Sequence, residues 1–423
     1  MDIRLSSNDK TLKSPENALI ISGSKSESNR LLILQKLFPE IRVNNLSNSE
    51  DTILLQKALN TTEKTVDIHH AGTAMRFLTA YFASQPGCEI VLTGSSRMKE
   101  RPIKILVEAL KSLGANIEYL EKEGFPPLLI KGEKLEKSKL FLDANVSSQY
   151  ITALLLIAPK LPDGLELKLQ GGITSLPYIQ MTLALLKQLN IETTFEENTI
   201  RVLPAEGSIS QKNSKGNKIS FTVESDWSSA SYFYSLAALS PVGTQFSLSY
   251  YFRKSIQGDA RVAKIYEQFG VETQFKESNI VIKKTESVKP FSLSLDLVET
   301  PDIAQTIAVT CLGLGVSCRL SGLHTLKIKE TDRLQALKNE LKKFGVKAEI
   351  TRESISFESK KLVHSDKKIF SIETYNDHRM AMAFAPLALF FPLQIQNARV
   401  VEKSYPDFWT DLKSLRFEVE KLS

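Results

Sequence analysis

The chain of 423 residues repeats one local pattern at intervals of about 75 residues. Four segments, 101–130, 177–203, 259–282 and 332–357, each combine an amphipathic helix, a Gly or Asn stop, a strand, a tight turn and a second strand. The stops are 76, 80 and 75 residues apart and belong to types that tolerate a left-handed helix C-cap. They are Gly114, Asn190, Gly270 and Gly345.

A second class of helix precedes each of these at a nearly fixed distance. Each such helix begins with polar residues and then becomes apolar, and the gaps to the next helix start are 28, 28, 29, 29 and 29 residues. The starts lie at Thr73, Ser148, Ser229, Asp302 and Asp377, and Ser26 supplies a sixth copy. Six copies predict an α/β fold of two domains with three repeat units each, since one core rarely grows so large.

The repeat count also predicts where the chain divides. The first two starts are only 47 residues apart, against 73 to 81 elsewhere, so the first unit is expected to be incomplete. We therefore expect an N-terminal domain over 22–223 and a C-terminal domain over 1–21 plus 224–423, with the chain crossing over twice. Residues 1–21 would form a strand pair of the C-terminal domain, and 211–217 a hairpin loop.

Composition restricts the class of protein further. The formal charge is 54 − 48 = +6, which is mild for this length and suits an anionic small molecule better than nucleic acid. Three cysteines without a CxxC pair indicate a reducing compartment. The start of the chain shows no signal peptide, and the longest apolar stretch, 380–393, is too short to span a bilayer. We expect a cytoplasmic protein without membrane or nucleic-acid partners.

The edges of the repeat units carry most of the candidate chemistry. Helix N-termini expose free N–H groups, and parallel helices in each domain would gather them on one face. Two such faces opposed across a hinge would form a ligand cleft for phosphate and carboxylate. Cations recur at these edges: Lys25, Arg30, Arg76, Arg97, Lys329, Arg333, Arg379 and Lys403.

Two carboxylates, Asp302 and Glu330, lie within this basic background. Asp302 follows a proline and opens an apolar helix, so a helix cap is an equally good interpretation. Glu330 could likewise be an ordinary first-turn acid. An anion site that also holds two acids favours proton transfer on an anionic substrate. The histidines and cysteines show no metal-ligand spacing.

Six motifs together resemble the 5-enolpyruvylshikimate-3-phosphate synthase family, in family order along the chain. They are Gly23-Ser24-Lys25-Ser26 with Ser28-Asn29-Arg30, Ala71-Gly72-Thr73-Ala74-Met75-Arg76, Arg97-Met98-Lys99-Glu100-Arg101-Pro102, Ser147-Ser148-Gln149, Lys329-Glu330-Thr331-Asp332-Arg333 and Asn376-Asp377-His378-Arg379-Met380-Ala381-Met382. The resemblance implies an enolpyruvyl transferase-like fold of two domains, each of three βαβαββ units. It also implies transfer of the enolpyruvyl group of phosphoenolpyruvate to the 5-hydroxyl of shikimate 3-phosphate with release of phosphate, in the shikimate pathway of aromatic amino-acid biosynthesis.

The same resemblance implies roles for individual residues. Asp302 would accept the 5-hydroxyl proton, and Glu330, with Lys403 or Lys25, would protonate C3 of phosphoenolpyruvate. The resemblance implies no metal or organic cofactor. We expect the protein to be a monomer. The residues implied to hold shikimate 3-phosphate are Lys25, Ser26, Arg30, Ser147, Ser148, Gln149, Ser175, Tyr178, Asp302 and Lys329. Those implied to surround phosphoenolpyruvate are Lys25, Gly72, Arg97, Gln149, Arg333, Arg379 and Lys403.

Two other functions remain open at this point. The related UDP-N-acetylglucosamine enolpyruvyl transferases share the fold and the donor, but they usually have a cysteine five residues before an Arg-Pro pair, where this chain has Ser96. A non-catalytic anion- or RNA-binding protein on the same scaffold would have no need of Asp302 and Glu330. The chain departs from the family pattern at His70 (commonly Asn), Phe77 (often Pro) and Thr325 (often Asn).

Overall fold

In a computed structural model the chain divides into two compact units. The N-terminal unit is Gly23–Val223, and the C-terminal unit combines Met1–Ser22 with Glu224–Ser423. The structure describes residues 1–7, 12, 18–143, 147–173, 175–205, 219–289, 291–360, 362 and 368–422. The predicted loop at 211–217 lies outside the described residues.

The α-helices of the described residues alternate with strands along most of the chain. They are α1 (Lys25–Leu37), α2 (Glu50–Leu59), α3 (Gly72–Ala83), α4 (Ser96–Lys99), α5 (Lys104–Leu113), α6 (Ser148–Ile157), α7 (Leu176–Gln188), α8 (Trp227–Leu239), α9 (Val262–Tyr266), α10 (Ala304–Leu314), α11 (Arg333–Lys343), α12 (His378–Phe384) and α13 (Phe408–Ser414). Several 3-10 turns join them, among them Gly258–Arg261, Pro301–Ile303 and His324–Ile328.

The strands of the described residues are short. They are β1 (Asp2–Ser7), β2 (Ile41–Asn44), β3 (Thr65–Asp67), β4 (Glu89–Thr93), β5 (Asn116–Tyr119), β6 (Leu128–Lys131), β7 (Lys139–Asp143), β8 (Leu165–Gln170), β9 (Thr193–Glu196), β10 (Thr199–Val202), β11 (Ile219–Thr222), β12 (Gln245–Ser249), β13 (Val271–Phe275), β14 (Asn279–Lys284), β15 (Ser292–Asp296), β16 (Ser317–Ser321), β17 (Glu349–Ile350), β18 (Ile355–Phe357), β19 (Phe370–Ile372), β20 (Leu393–Ile395) and β21 (Phe417–Leu422).

Within the N-terminal unit, two sheets share one topology. The strand orders are β3-β4-β6-β5 and β7-β8-β10-β9. In both sheets the first pair is parallel, which requires a helical crossover, and the remaining pairs are antiparallel. The third sheet of this unit pairs β2 with β11 in parallel. The first repeat unit is thus the shortest, as the 47-residue spacing predicts.

Within the C-terminal unit, the sheet β15-β16-β18-β17 repeats the same topology without interruption. The last sheet, β19-β20-β1-β21, repeats it with β1 as the antiparallel neighbour of both β20 and β21. The sheet β12-β14-β13 gains a parallel bridge from Leu19 to Leu248 of β12. The predicted pairing within residues 1–21 is wrong for the described part, because β1 and Leu19 complete two different sheets.

The predicted helices and their stops are confirmed. All four stops have a positive φ, between 59° and 113°, which lets the chain leave the helix and enter the next strand. The second class of helix is buried nearly all round, which explains its apolar sequence. In the N-terminal unit α1, α3 and α6 pack together, and in the C-terminal unit α8, α10 and α12 do. No helix in the described part of the chain is long and apolar enough to cross a bilayer.

Candidate active site

In the C-terminal unit the starts of α8, α10 and α12 meet. Arg379, the second residue of α12, places its Nη2 3.0 Å from Oδ2 of Asp302, which lies two residues before α10. The same Nη2 lies 3.4 Å from the hydroxyl of Ser228, the second residue of α8. The predicted gathering of helix starts on one face therefore holds within this unit.

Arg333, the first residue of α11, connects three carboxylates to this point. Its Nη1 donates to Asp302 Oδ1 at 3.0 Å, and its Nη2 donates to Glu330 Oε2 at 2.8 Å. Its Nε donates to Asp377 Oδ2 at 2.6 Å. The Arg333 side chain is 2% exposed and that of Asp377 is 0% exposed. The planar guanidinium fork thus orders the two predicted acids.

Two lysines complete this arrangement. Lys329 Nζ lies 3.7 Å from Asp302 Oδ1, and Lys403 Nζ lies 2.8 Å from Glu330 Oε1. Each predicted acid therefore contacts one lysine as well as Arg333. We call the set the acid–arginine cluster: Asp302, Lys329, Glu330, Arg333, Asp377, Arg379 and Lys403.

The surrounding cations determine the charge state of Asp302. Burial alone would raise its pKa, but Arg379, Lys329 and Arg333 outweigh burial and hold the pKa of Asp302 well below its usual value. Asp302 is therefore ionised near neutral pH. A bound anion that shares the charge of these cations would raise its pKa and make it a better proton acceptor.

Two further carboxylates at this site, Asp377 and Asp259, were not predicted as site acids from the sequence. Asp377 binds Arg333 and also caps α12, accepting from the N–H of Arg379 at 2.9 Å. Asp259, on the 3-10 turn Gly258–Arg261, accepts a hydrogen bond from Ser228. Asp377 is one of the predicted helix starts, and an Asp at that position is a typical helix cap, so a signal was available. The expectation of only two acids in a basic cleft is corrected, because Asp377 and Asp259 place two further carboxyl groups beside the arginines.

In the N-terminal unit Lys25, the first residue of α1, pairs with a buried acid. Its Nζ lies 3.2 Å from Oδ2 of Asp51, in the first turn of α2. The Lys25 side chain keeps 18% of its surface exposed. Asp51 thus orients the ammonium group while solvent still reaches it.

Arg30 joins three helices of the N-terminal unit. Its Nε donates to Thr182 Oγ1 at 2.9 Å, and its Nη2 donates to the Tyr178 carbonyl at 3.1 Å and to Thr152 Oγ1 at 3.3 Å. Its Nη1 donates to the carbonyl of Ser26 at 2.6 Å. Burial lowers the pKa of Arg30 to about 10, so it stays charged near neutral pH. These bonds bring the first turns of α1 and α7 together.

The predicted phosphate triplet begins α6. Ser147 caps this helix by accepting from the N–H of Gln149 at 3.3 Å, and Ser148 is buried beside it. The Gln149 amide Nε2 donates to Thr73 Oγ1 at 3.2 Å, which places the starts of α6 and α3 side by side. Ser175 directly precedes α7 in a left-handed conformation, with φ 53°, and its side chain makes no capping hydrogen bond.

Gly72 begins α3 against the side chain of Arg101. A Cβ added at Gly72 would overlap the Arg101 guanidinium, so this position needs a glycine unless Arg101 moves. Arg76, one turn further along α3, is buried and donates from Nη2 to the Pro102 carbonyl at 2.9 Å. Arg76 therefore fixes the 97–102 segment to α3.

Arg97 lies at the surface of the N-terminal unit. Its side chain is 48% exposed, and its Nη1 donates to Glu100 Oε2 at 2.8 Å. The nearby Ser95 caps α4 and lies 2.7 Å from Nδ1 of His70, one of the departures from the family pattern. Arg97 is thus the most solvent-accessible of the predicted arginines.

The geometry of both units suits chemistry on an anion. The C-terminal unit offers carboxyl groups held against arginines and lysines, which can exchange protons with a bound group. The N-terminal unit offers helix starts, hydroxyls and Lys25, which can hold phosphate or carboxylate. No three histidine, cysteine, aspartate or glutamate side chains among the described residues are placed to hold a metal ion.

Comparison with known proteins identifies the class. The family model of EPSP synthase (3-phosphoshikimate 1-carboxyvinyltransferase) matches residues 55–412. The 3-phosphoshikimate 1-carboxyvinyltransferase of Bacteroides fragilis is 46% identical over 404 residues, which cover 95% of each chain. The chain belongs to the EPSP synthase family.

Two solved structures resemble the fold. The EPSP synthase of Acinetobacter baumannii superimposes with a TM-score of 0.77 at 19% identity, covering 100% of both chains. The enolpyruvyl transferase NikO of Streptomyces tendae gives a TM-score of 0.69 at 12% identity, covering 99% of this chain and 98% of that one. The predicted α/β enolpyruvyl transferase-like fold is confirmed.

Proposed function

We propose that this enzyme transfers the enolpyruvyl group of phosphoenolpyruvate to the 5-hydroxyl of shikimate 3-phosphate and releases phosphate. The reaction would serve aromatic amino-acid biosynthesis through the shikimate pathway. Family membership supports the reaction, and the acid–arginine cluster supports its chemistry. The observation that carries the proposal is Asp302, an ionised carboxylate held between Arg379 and Arg333.

The shikimate 3-phosphate site would combine helix starts with a few charged groups. Ser147, Ser148 and Gln149 open α6, and their hydroxyls and N–H groups suit a phosphate. Lys25 and Lys329 would add positive charge. The full proposed set is Lys25, Ser26, Arg30, Ser147, Ser148, Gln149, Ser175, Tyr178, Asp302 and Lys329.

Arg30 has a restricted part in this set. Its hydrogen bonds to Thr182, Thr152, Tyr178 and Ser26 hold the helices together, so its main contribution would be to shape the site. Its charge, retained despite burial, would still attract an anion.

Phosphoenolpyruvate carries a phosphate and a carboxylate, which require several cations. Arg379 and Lys403 would bind it directly, since an anion can draw Arg379 from Asp302 and Lys403 from Glu330. Arg333 is held by its hydrogen bond to Asp377. It would therefore act on phosphoenolpyruvate mainly through the electrostatic field of its positive charge. The full proposed set is Lys25, Gly72, Arg97, Gln149, Arg333, Arg379 and Lys403.

The proton transfers would divide between the two acids. As the 5-hydroxyl oxygen attacks C2 of phosphoenolpyruvate, Asp302 would accept the hydroxyl proton, and C3 would gain a proton from Glu330, assisted by Lys403 or Lys25. Loss of a proton from C3 and cleavage of the C2–O bond to phosphate would then give the enol ether. Arg333 donates hydrogen bonds to both acids, so it fixes the positions of the two carboxylates relative to each other during these steps.

One assay tests the function. The purified protein is given phosphoenolpyruvate with either shikimate 3-phosphate or UDP-N-acetylglucosamine, and released phosphate is measured. We expect phosphate only with shikimate 3-phosphate. Release with the UDP-sugar alone, or with neither acceptor, would overturn the proposal.

The monomeric state, the cytoplasmic location and the lack of nucleic-acid and membrane partners stay predictions from the sequence. The two units are proposed to be the domains predicted as 22–223 and 1–21 plus 224–423. Gel filtration with light scattering tests the oligomeric state directly.

A further inference from the structure

Ser228 and Asp259 lie behind Arg379, and the resemblance assigns neither of them a role. The Ser228 hydroxyl donates to Asp259 Oδ2 and lies 3.4 Å from Nη2 of Arg379. Asp259 is buried, with 6% of its surface exposed. The three side chains therefore form a short chain that ends at the Arg379 guanidinium.

The direction of these hydrogen bonds follows from proton count. A serine hydroxyl has one proton and two lone pairs, and Arg379 can only donate. Because the Ser228 proton points to Asp259, a lone pair faces Arg379. Asp259 thereby keeps Ser228 in the orientation in which it accepts from the guanidinium.

Arg379 is the group whose position matters here. Its Nη2 is shared between Ser228 and Asp302 Oδ2, at 3.4 Å and 3.0 Å. When an anion draws the guanidinium away from Asp302, the contact between Nη2 and the Ser228 hydroxyl can persist. The Ser228 hydroxyl can therefore hold the guanidinium in place while Asp302 is released.

A carboxylate at position 259 is not explained by helix capping. Its side chain caps neither the 3-10 turn Gly258–Arg261 nor the following α9. Burial, reinforced by the nearby Asp302, raises the pKa of Asp259 to about 7, so ionisation there is unfavourable. A costly buried acid beside a functional group is typical of a site that serves function.

We propose that Asp259 and Ser228 are positioning residues that orient Arg379 toward the phosphoenolpyruvate anion. The inference rests on the proposed function and deepens it. The two residues act through Arg379 and make no contact with the reacting atoms. Their effect should fall on the affinity for phosphoenolpyruvate and leave that for shikimate 3-phosphate unchanged.

The test compares Asp259→Asn, Ser228→Ala, the double variant and the conservative Ser228→Thr with wild type. Binding of phosphoenolpyruvate is measured by calorimetry with and without shikimate 3-phosphate, and KM and kcat are measured by phosphate release. We expect each single variant to lose about 10-fold in phosphoenolpyruvate affinity, the scale of one hydrogen bond to a charged group. The dissociation constant of shikimate 3-phosphate should stay within about twofold, a difference too small to reflect a lost bond of that kind.

The double variant and the conservative variant Ser228→Thr distinguish a positioning role from a general structural effect. The double variant should lose no more than either single variant, since both interrupt one chain of contacts, and Ser228→Thr should recover most of the affinity. Glu267→Gln, which removes an exposed charge from the same region, is the matched control. Equal losses for both ligands, additive losses, or unchanged phosphoenolpyruvate affinity would overturn the proposal.

The outcome remains separable from that of the proposed function. If the wild type binds phosphoenolpyruvate but releases no phosphate, the function fails while the binding comparison still decides the role of Asp259 and Ser228. Thermal unfolding of each variant verifies folding, and Ser228→Ala alone suffices if Asp259→Asn does not fold.

Discussion

Arg333 and Asp377 form a buried ion pair in which Nε of the guanidinium lies 2.6 Å from Oδ2 of the carboxylate. The other carboxylate oxygen of Asp377 accepts from the backbone N–H of Arg379. One carboxylate therefore fixes both an arginine of α11 and the start of α12. At this point the same buried contacts hold the helices of the C-terminal unit together and position the residues of its candidate site.

Replacing Arg333 should damage the fold as well as the activity. Arg333→Met would leave Asp377 buried without its partner, which typically costs about 3–5 kcal/mol. Urea unfolding should show this loss. Arg261→Met is the control, because its pair with Glu299 is about half exposed and exposed pairs contribute about 0–1 kcal/mol. Unchanged stability of Arg333→Met would mean that Arg333 serves ligand binding alone.

Asp302→Asn should separate chemistry from binding. The amide keeps the volume of the side chain but cannot accept the hydroxyl proton, so kcat should fall by about 10²–10⁴-fold. Shikimate 3-phosphate, measured by calorimetry, should still bind. Glu299→Gln, three residues earlier and exposed, controls for loss of charge. Near-normal turnover of Asp302→Asn would reduce Asp302 to a structural partner of Arg333 and Arg379.

Gly72→Ala should act through Arg101. The added methyl group would push the Arg101 guanidinium aside, so KM for phosphoenolpyruvate should rise by about 10-fold, the equivalent of about 1.4 kcal/mol. Steady-state kinetics with Arg101→Ala and the double variant test this route. If displacement of Arg101 is the cause, the double variant should be no worse than Arg101→Ala. An additive loss would instead place the methyl group against the ligand itself.

Thr182→Val should destabilise the N-terminal unit. The change leaves the buried Nε–H of Arg30 without its acceptor, which costs about 1–3 kcal/mol. Thr193→Val is a matched control, because the buried Thr193 hydroxyl has no hydrogen-bond partner among the described residues. Denaturant unfolding should rank Thr182→Val clearly below Thr193→Val, and equal values would contradict the importance of this bond.

Asp259→Asn should change how stability depends on pH. The folded state holds the pKa of Asp259 at about 7, above the ordinary value of 3.8, so between these values it binds more protons than the unfolded state. Asp259 therefore makes the protein less stable as pH rises from about 4 to about 7. Relative to wild type, Asp259→Asn should become progressively more stable between pH 5 and pH 8 in urea unfolding. A constant difference across this range would count against the raised pKa.

Much of the fold was predictable because its signals are local. Helix starts, apolar spacing and the stops at Gly114, Asn190, Gly270 and Gly345 each lie within one repeat. The strand partners of residues 1–21 could not be predicted, because β1 and Leu19 pair with strands hundreds of residues away in the sequence. A single sequence gives the strand pattern but not the distant partner.

The site shows the same division. The motifs predict that Asp302, Glu330, Arg333 and Arg379 belong together, and the structure places them in contact. The pairing of Arg333 with Asp377 depends on a contact between separate repeats, and the approach of Ser228 to Asp259 depends on how the two helical segments of one repeat pack together. No spacing in the chain encodes those contacts.

The place of β1 between β20 and β21 sets an order of assembly during synthesis. The N-terminal unit, Gly23–Val223, is contiguous and can fold while the ribosome is still making the rest. By contrast, β1 is made long before its two neighbours, β20 and β21, and must wait for them. Until then both of its hydrogen-bonding edges stay open to other nascent chains, so β1 is protected from aggregation much later than it is made.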